Sequence, residues 1–87
     1  MKLTMLARGY CHLCDVMQEQ FMAWQAALGD ASRSPIIGHL QVIDVDEFTE
    51  LEALWGDKVP VLLLNDVEVF HYHFDADKLN VAIAALT

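Results

Sequence analysis

The amino-acid sequence predicts an α/β fold in which a mixed four-stranded sheet carries helices on both faces, in the order β-α-β-α-β-β-α. Three observations predict it. Short apolar runs at 2–7, 39–45, 59–64 and 67–72 read as strands, and the segments between them repeat their apolar residues every three or four positions. The first two strands are separated by a long helical segment, as a parallel crossover requires, whereas the last two are separated by Asn65-Asp66 alone and must be antiparallel. The third observation is Pro60, which opens the most apolar run at a place where a central strand excludes proline, because proline cannot donate to the ladder.

Lys2 to Ala7 is the first strand, and Arg8-Gly9-Tyr10 ends it, with Gly9 expected to supply the backbone freedom for a tight strand-to-helix turn. Leu13, Val16, Met17, Phe21, Trp24 and Leu28 recur at helical spacing, so Cys11 to Leu28 reads as an amphipathic helix stopped by Gly29-Asp30. Residues 29–38 read as a loop. His39 to Val45 is the second strand, with Leu40, Val42 and Ile43 expected in the core. Asp46-Glu47 opens a short helix, where acidic residues suit the positive end of the helix dipole, and Phe48, Leu51, Leu54 and Trp55 form its apolar stripe before Gly56.

Val59 to Leu64 is almost continuously apolar, as expected of a strand buried on both faces. Asn65-Asp66 turns it into Val67 to Tyr72. Asp75-Ala76-Asp77 opens the last helix, whose apolar positions include Leu79, Val81, Ile83 and Leu86. No linker, repeat or low-complexity segment interrupts the chain, so residues 1–87 are expected to form one domain.

Composition narrows the function classes. Hydrophobic residues make up 55% of the 87, enough for one core and too many for a disordered chain. Thirteen Asp+Glu against five Lys+Arg give a formal net charge of −8, with no Lys/Arg cluster, which is a poor match for nucleic acid. No apolar stretch approaches the roughly 20 residues that span a bilayer, and the N-terminus lacks an extended apolar leader, so no membrane partner and a cytoplasmic location are expected. Cysteines three positions apart in a reducing compartment are redox-active or metal ligands rather than a structural staple.

Cys11-His12-Leu13-Cys14 falls at the junction of the first strand and the first helix. A helix N-terminus presents unpaired N–H groups and a positive dipole, both of which favour the reacting thiolate. Cys11, at the cap, is expected to be exposed and nucleophilic, and Cys14, one turn in, to be buried and resolving. Zinc sites share the spacing, but tetrahedral zinc needs about four ligands and no second cysteine pair exists. Pro60 sharpens the redox reading, because a cis bond before it resolves the conflict of a proline at a strand entrance.

Each neighbour also has a plainer reading. Arg8 and Lys58 flank the pair and would attract a carboxylate or stabilise a thiolate, or are ordinary surface cations. Tyr10 lines a groove or packs over the turn. His12 tunes the thiol through its own protonation or is simply solvated. Asp15 accepts a proton from the resolving thiol or raises its pKa, or is there as favourable helix-dipole charge, the reading preferred. His71 and His73, at alternating positions expected to face one side, read as sheet-surface residues rather than ligands, and Trp24 and Trp55 as packing.

Gly9-Tyr10-Cys11-His12-Leu13-Cys14-Asp15, Ile43-Asp44-Val45-Asp46 and Val59-Pro60-Val61-Leu62 together resemble the glutaredoxin branch of the thioredoxin fold, and the likeness spans the chain. The resemblance implies that Cys11 attacks disulfides, that Cys14 releases the mixed disulfide, and that Pro60 sits against the pair. It implies that the Val59 backbone pairs with a bound peptide or glutathione, with Asp75 capping the last helix toward an amino group. Three places depart from the usual glutaredoxin pattern: His12-Leu13 replaces Pro-Tyr, Lys58 precedes Val59-Pro60, and Phe70-His71-Tyr72-His73-Phe74-Asp75 has no glycine where a Gly-Gly turn is usual.

The leading expectation is therefore a small monomeric thiol-disulfide oxidoreductase with no metal and no bound cofactor. Its substrates would be protein disulfides or glutathionylated proteins, with glutathione a candidate electron donor. The alternative from another class is a binding module with a non-catalytic or regulatory Cys pair, using the Val59-Pro60 edge and the aromatic strand; a fast-reacting Cys11 would discriminate against it. Metal or iron–sulfur binding across a dimer would show as colour in the purified protein.

Overall fold

The structure is a computed structural model, and it describes residues 2–27 and 40–86. Strands β1 (Leu3–Ala7), β2 (Leu40–Asp44), β3 (Val61–Leu64) and β4 (Val67–His71) form one sheet in the order β2-β1-β3-β4. Strand β1 pairs parallel with β2 and antiparallel with β3, and β3 pairs antiparallel with β4. Helices α1 (His12–Ala27), α2 (Thr49–Trp55) and α3 (Ala76–Ala84) complete the order, with a 3₁₀ turn at Val45–Glu47 leading into α2. The expected loop 29–38 lies outside the described residues, as do Leu28 and His39.

The period-two alternation of the central strands divides the core in two. Leu3, Met5, Leu62 and Leu64 face one side, where Met17 and Phe21 of α1 and Leu79 of α3 cover them. Leu6, Val61 and Leu63 face the other, against Val45, with Leu51 and Trp55 of α2 packed on them. Thr4 shares that second side and is buried, and its hydroxyl has no hydrogen-bond partner among the described residues. The Asn65-Asp66 turn has φ of 52° and 67°, the paired left-handed residues of a two-residue hairpin whose twist matches the strands.

Several sequence expectations are corrected by packing. Val42 is exposed rather than core, because β2 is an edge strand. Phe48 and Leu54 are exposed, since α2 starts only at Thr49 and buries the Leu51 and Trp55 side of its short stripe. Val81 and Leu86 are likewise exposed, with Leu79, Ala82 and Ile83 supplying the packed face of α3. Leu13 is exposed in the first turn of α1, where Cys14 turns inward instead. Strand β3 begins at Val61, so Val59 and Pro60 lie just before the ladder.

Candidate functional site

Register places the predicted residues at one end of the sheet. Leu6 of β1 lies opposite Val61 of β3, and Val61 lies opposite His71 of β4. The segment following β1 (Arg8, Tyr10, Cys11, His12, Cys14), the segment preceding β3 (Lys58, Val59, Pro60) and the segment following β4 (Tyr72 to Asp75) therefore leave or enter the sheet at the same edge. Chain positions far apart in sequence meet there because parallel β1–β2 and antiparallel β1–β3 pairings share one strand end.

Cys11 and Cys14 stand at disulfide-bonding distance, with Cα atoms 5.2 Å apart, inside the range that a disulfide accepts. The Cys11 carbonyl accepts the first helical hydrogen bond, from the Asp15 N–H at 3.2 Å, which makes Cys11 the N-cap of α1. The Cys11 sulfur accepts a second bond, from the Cys14 N–H at 3.1 Å. A cap is usually an oxygen; here the sulfur does the same job, and a backbone donor aimed at a sulfur favours its anionic form. Cys11 is half-buried, whereas Cys14 is only 4% exposed.

The turn before the pair differs from its sequence reading. The left-handed residue is Tyr10, at φ 59°, and not Gly9, around which a Cβ would meet nothing within 4 Å. Holding a bulky side chain in that region costs roughly 1–3 kcal/mol, and such residues persist where the surrounding structure fixes them. Tyr10 is fully exposed beside the Cys11 sulfur's own residue. His12, the first residue of α1, is exposed as well.

Val59-Pro60 is joined by a cis peptide bond, and Pro60 is fully buried while Val59 packs against the α2-side core. The two flanking cations have partners of their own. Arg8 donates to Asp46 at 3.0 Å and to Glu52 at 3.3 Å, which draws its guanidinium onto the 3₁₀ turn and α2. Lys58 holds its ammonium 5.7 Å from the centroid of the Trp55 ring, a cation–π geometry. Asp75 is the N-cap of α3 and accepts from the Lys78 N–H at 3.0 Å, so its local role is the one that α3 requires.

Sequence reasoning missed Tyr72. The predicted strand ends one residue early, because Tyr72 adopts φ 65° and leaves the ladder. Its N–H donates to the Pro60 carbonyl at 2.8 Å, and its hydroxyl donates to the Asp57 carbonyl at 2.7 Å. One residue thus bridges the end of β4 to both sides of Lys58-Val59. The available signal was the missing glycine: a turn that other sequences make with glycine is made here by a tyrosine that needs compensating bonds. His71 and His73 do not share a strand face as expected, since the chain breaks at Tyr72; His71 pairs with Glu68 at 3.2 Å instead. Among the described residues no group of three or more His, Cys, Asp or Glu is arranged to hold a metal ion.

No described helix is long and apolar enough to cross a membrane. Among curated proteins, none matches the chain significantly. Solved structures do. The protein Ne2328 from Nitrosomonas europaea is 31% identical, with a TM-score of 0.67 over 93% of this chain and 88% of its own. The protein XcR50 from X. campestris is 29% identical, with a TM-score of 0.66 over 95% of this chain and 96% of its own. Thioredoxin 1 from Thermosipho africanus shares 16% identity and a TM-score of 0.57 over 99% of this chain and 98% of its own, a likeness of fold. The architecture is the thioredoxin fold, and a match over residues 2–84 shows that the chain belongs to the glutaredoxin-like domain family (DUF836).

Proposed function

We propose that this protein is a thiol-disulfide oxidoreductase working through a Cys11/Cys14 dithiol–disulfide couple. The observation that carries the proposal is the asymmetry of the pair: a half-exposed Cys11 capping α1 through its sulfur, and a buried Cys14 within bonding reach. In the reduced protein the Cys11 thiolate attacks a partner disulfide, forms a mixed disulfide and expels one partner thiolate. The Cys14 thiolate then attacks the Cys11 sulfur, forms the intramolecular disulfide and releases the second partner thiolate. The partner gains two electrons and two protons, and the protein is oxidised. Glutathione or a dedicated dithiol reductase returns the electrons.

The backbone of Val59 supports a peptide-binding role beside the pair, because its N–H and carbonyl make no hydrogen bond within the described residues and precede the β3 ladder. A cytoplasmic, monomeric protein acting on protein disulfides or glutathionylated proteins fits this reading. The test is alkylation-trapped mass spectrometry of protein equilibrated across glutathione redox buffers. Cooperative loss of both thiols supports the couple; thiols that stay alkylatable throughout overturn it. In turnover assays Cys11→Ser should be inactive, and Cys14→Ser should accumulate a mixed disulfide.

A further inference from the structure

We infer that Tyr72 is a positioning residue for the Cys11/Cys14 reaction. Through two hydrogen bonds it holds segment 57–60 so that the unpaired backbone of Val59 meets a polypeptide partner in one fixed geometry. This rests on the oxidoreductase reading above and deepens it.

The backbone bonds of segment 57–60 fall on both sides of Val59 and skip it. The Lys58 N–H donates to the Trp55 carbonyl at 2.8 Å, continuing the close of α2. The Asp57 carbonyl accepts the Tyr72 hydroxyl at 2.7 Å, and the Pro60 carbonyl accepts the Tyr72 N–H at 2.8 Å. Proline has no N–H, so that carbonyl is the backbone polar group Pro60 has, and Tyr72 takes it. Val59 packs its side chain on the α2-side core, while its own N–H and carbonyl make no hydrogen bond among the described residues. One tyrosine therefore fixes the chain before and after the residue whose backbone is left over.

The second observation is the backbone of Tyr72 itself. A φ of 65° is a region that a bulky side chain occupies only where its surroundings impose it, and such residues gather at functional sites. The His73 N–H donates to the His71 carbonyl at 2.8 Å and closes a three-residue turn around Tyr72. The His71 ring stands edge-on to the Tyr72 ring, with centroids 4.7 Å apart, so the phenol is braced where it reaches Asp57. A glycine would take the same turn without strain and would keep the N–H to Pro60. It would lack the hydroxyl, which is what the tyrosine adds.

A segment held in one conformation binds without first being selected from others. Where the competent fraction falls, apparent affinity falls by that fraction and the chemical step is untouched. That step is the one above: Cys11 attacks one sulfur of the partner's disulfide, Cys14 closes the internal disulfide, and the partner leaves as a dithiol. Loss of the hydroxyl bond should therefore raise the half-saturating concentration of a polypeptide disulfide. It should weigh far less on a disulfide that has no peptide backbone to pair with Val59.

The experiment is a single-turnover measurement on pre-reduced protein, so no further reductant enters. The parent, Tyr72→Phe and Tyr72→Gly are each mixed with rising concentrations of a neutral peptide carrying one internal disulfide, and separately with bis(2-hydroxyethyl) disulfide. Both variants should raise the half-saturating peptide concentration about three- to tenfold, the worth of one hydrogen bond, with the limiting rate constant held. Their loss on the small disulfide should be smaller than on the peptide. A parental half-saturating concentration in either variant, or an equal loss on both disulfides, overturns the inference and leaves the oxidoreductase reading standing. A parent that reduces the small disulfide but not the peptide does the same. A parent that reduces neither overturns that reading, and the role of Tyr72 falls with it.

Discussion

The backbone N–H of Cys14 donates to the sulfur of Cys11 at 3.1 Å, so one cysteine of the pair caps the helix that carries the other. Local helix geometry then separates their chemistry: Cys11 is half-buried at the N-cap, and Cys14 is buried one turn further in. In the reduced protein Cys11 should react with iodoacetamide at least ~10-fold faster than Cys14 at neutral pH, since reactivity follows thiolate character and access. Peptide mapping after timed alkylation reads the order. Equal labelling of both positions would contradict it.

Tyr72 ties the end of β4 to Asp57 and Pro60 with two hydrogen bonds while occupying a left-handed backbone conformation. Tyr72→Phe removes only the bond to the Asp57 carbonyl and should lower stability by about 0.5–1.5 kcal/mol, the net worth of such a bond. Urea unfolding of the two proteins measures it. A variant as stable as the parent would mean that the hydroxyl bond contributes nothing.

Gly56 ends α2 where the chain passes close to Arg8. A Cβ there would lie 2.5 Å from the Glu52 carbonyl oxygen and 2.9 Å from the Arg8 guanidinium. Its backbone is ordinary right-handed helix, φ −55°, so alanine is not excluded by conformation. Space decides the sign, and Gly56→Ala should cost about 1–3 kcal/mol, as overpacking does. A rise in melting temperature would show that the carbonyl shifts without cost.

Thr4 buries a hydroxyl that no group among the described residues accepts from or donates to. Thr4→Val keeps the branched shape that suits a central strand and removes the unsatisfied oxygen. It should be neutral or stabilise by up to about 1–2 kcal/mol, in line with the cost of an unpaired buried hydroxyl. Thermal unfolding tests it; a loss of stability would reveal a partner that the hydroxyl does have.

Much of this was legible from the chain because it depends on short-range chemistry. The Cys-x-x-Cys spacing places two sulfurs in one helical turn, and the cysteines stand so in the structure. Asn65-Asp66 can take paired positive φ, and it does. The near-continuous Val61–Leu64 run needs cover on both faces, and the two core clusters provide it. Hydrophobic period alone over-assigned the core at Val42, Phe48, Leu54, Val81 and Leu86, because period gives the apolar side of an element and not whether a neighbour covers it.

By itself, the sequence determined the order of the elements, the helix cap at Cys11 and the hairpin, all of which turn on residues within a few positions of each other. Only the tertiary structure decided that Arg8 is engaged by Asp46 and Glu52, that Tyr10 rather than Gly9 takes the left-handed turn, and that Tyr72 reaches the carbonyls of Asp57 and Pro60. Those contacts join residues that strand pairing brings together from distant parts of the chain. Their geometry depends on sheet register and on which polar atoms remain unpaired after the core has packed, and no local pattern encodes either.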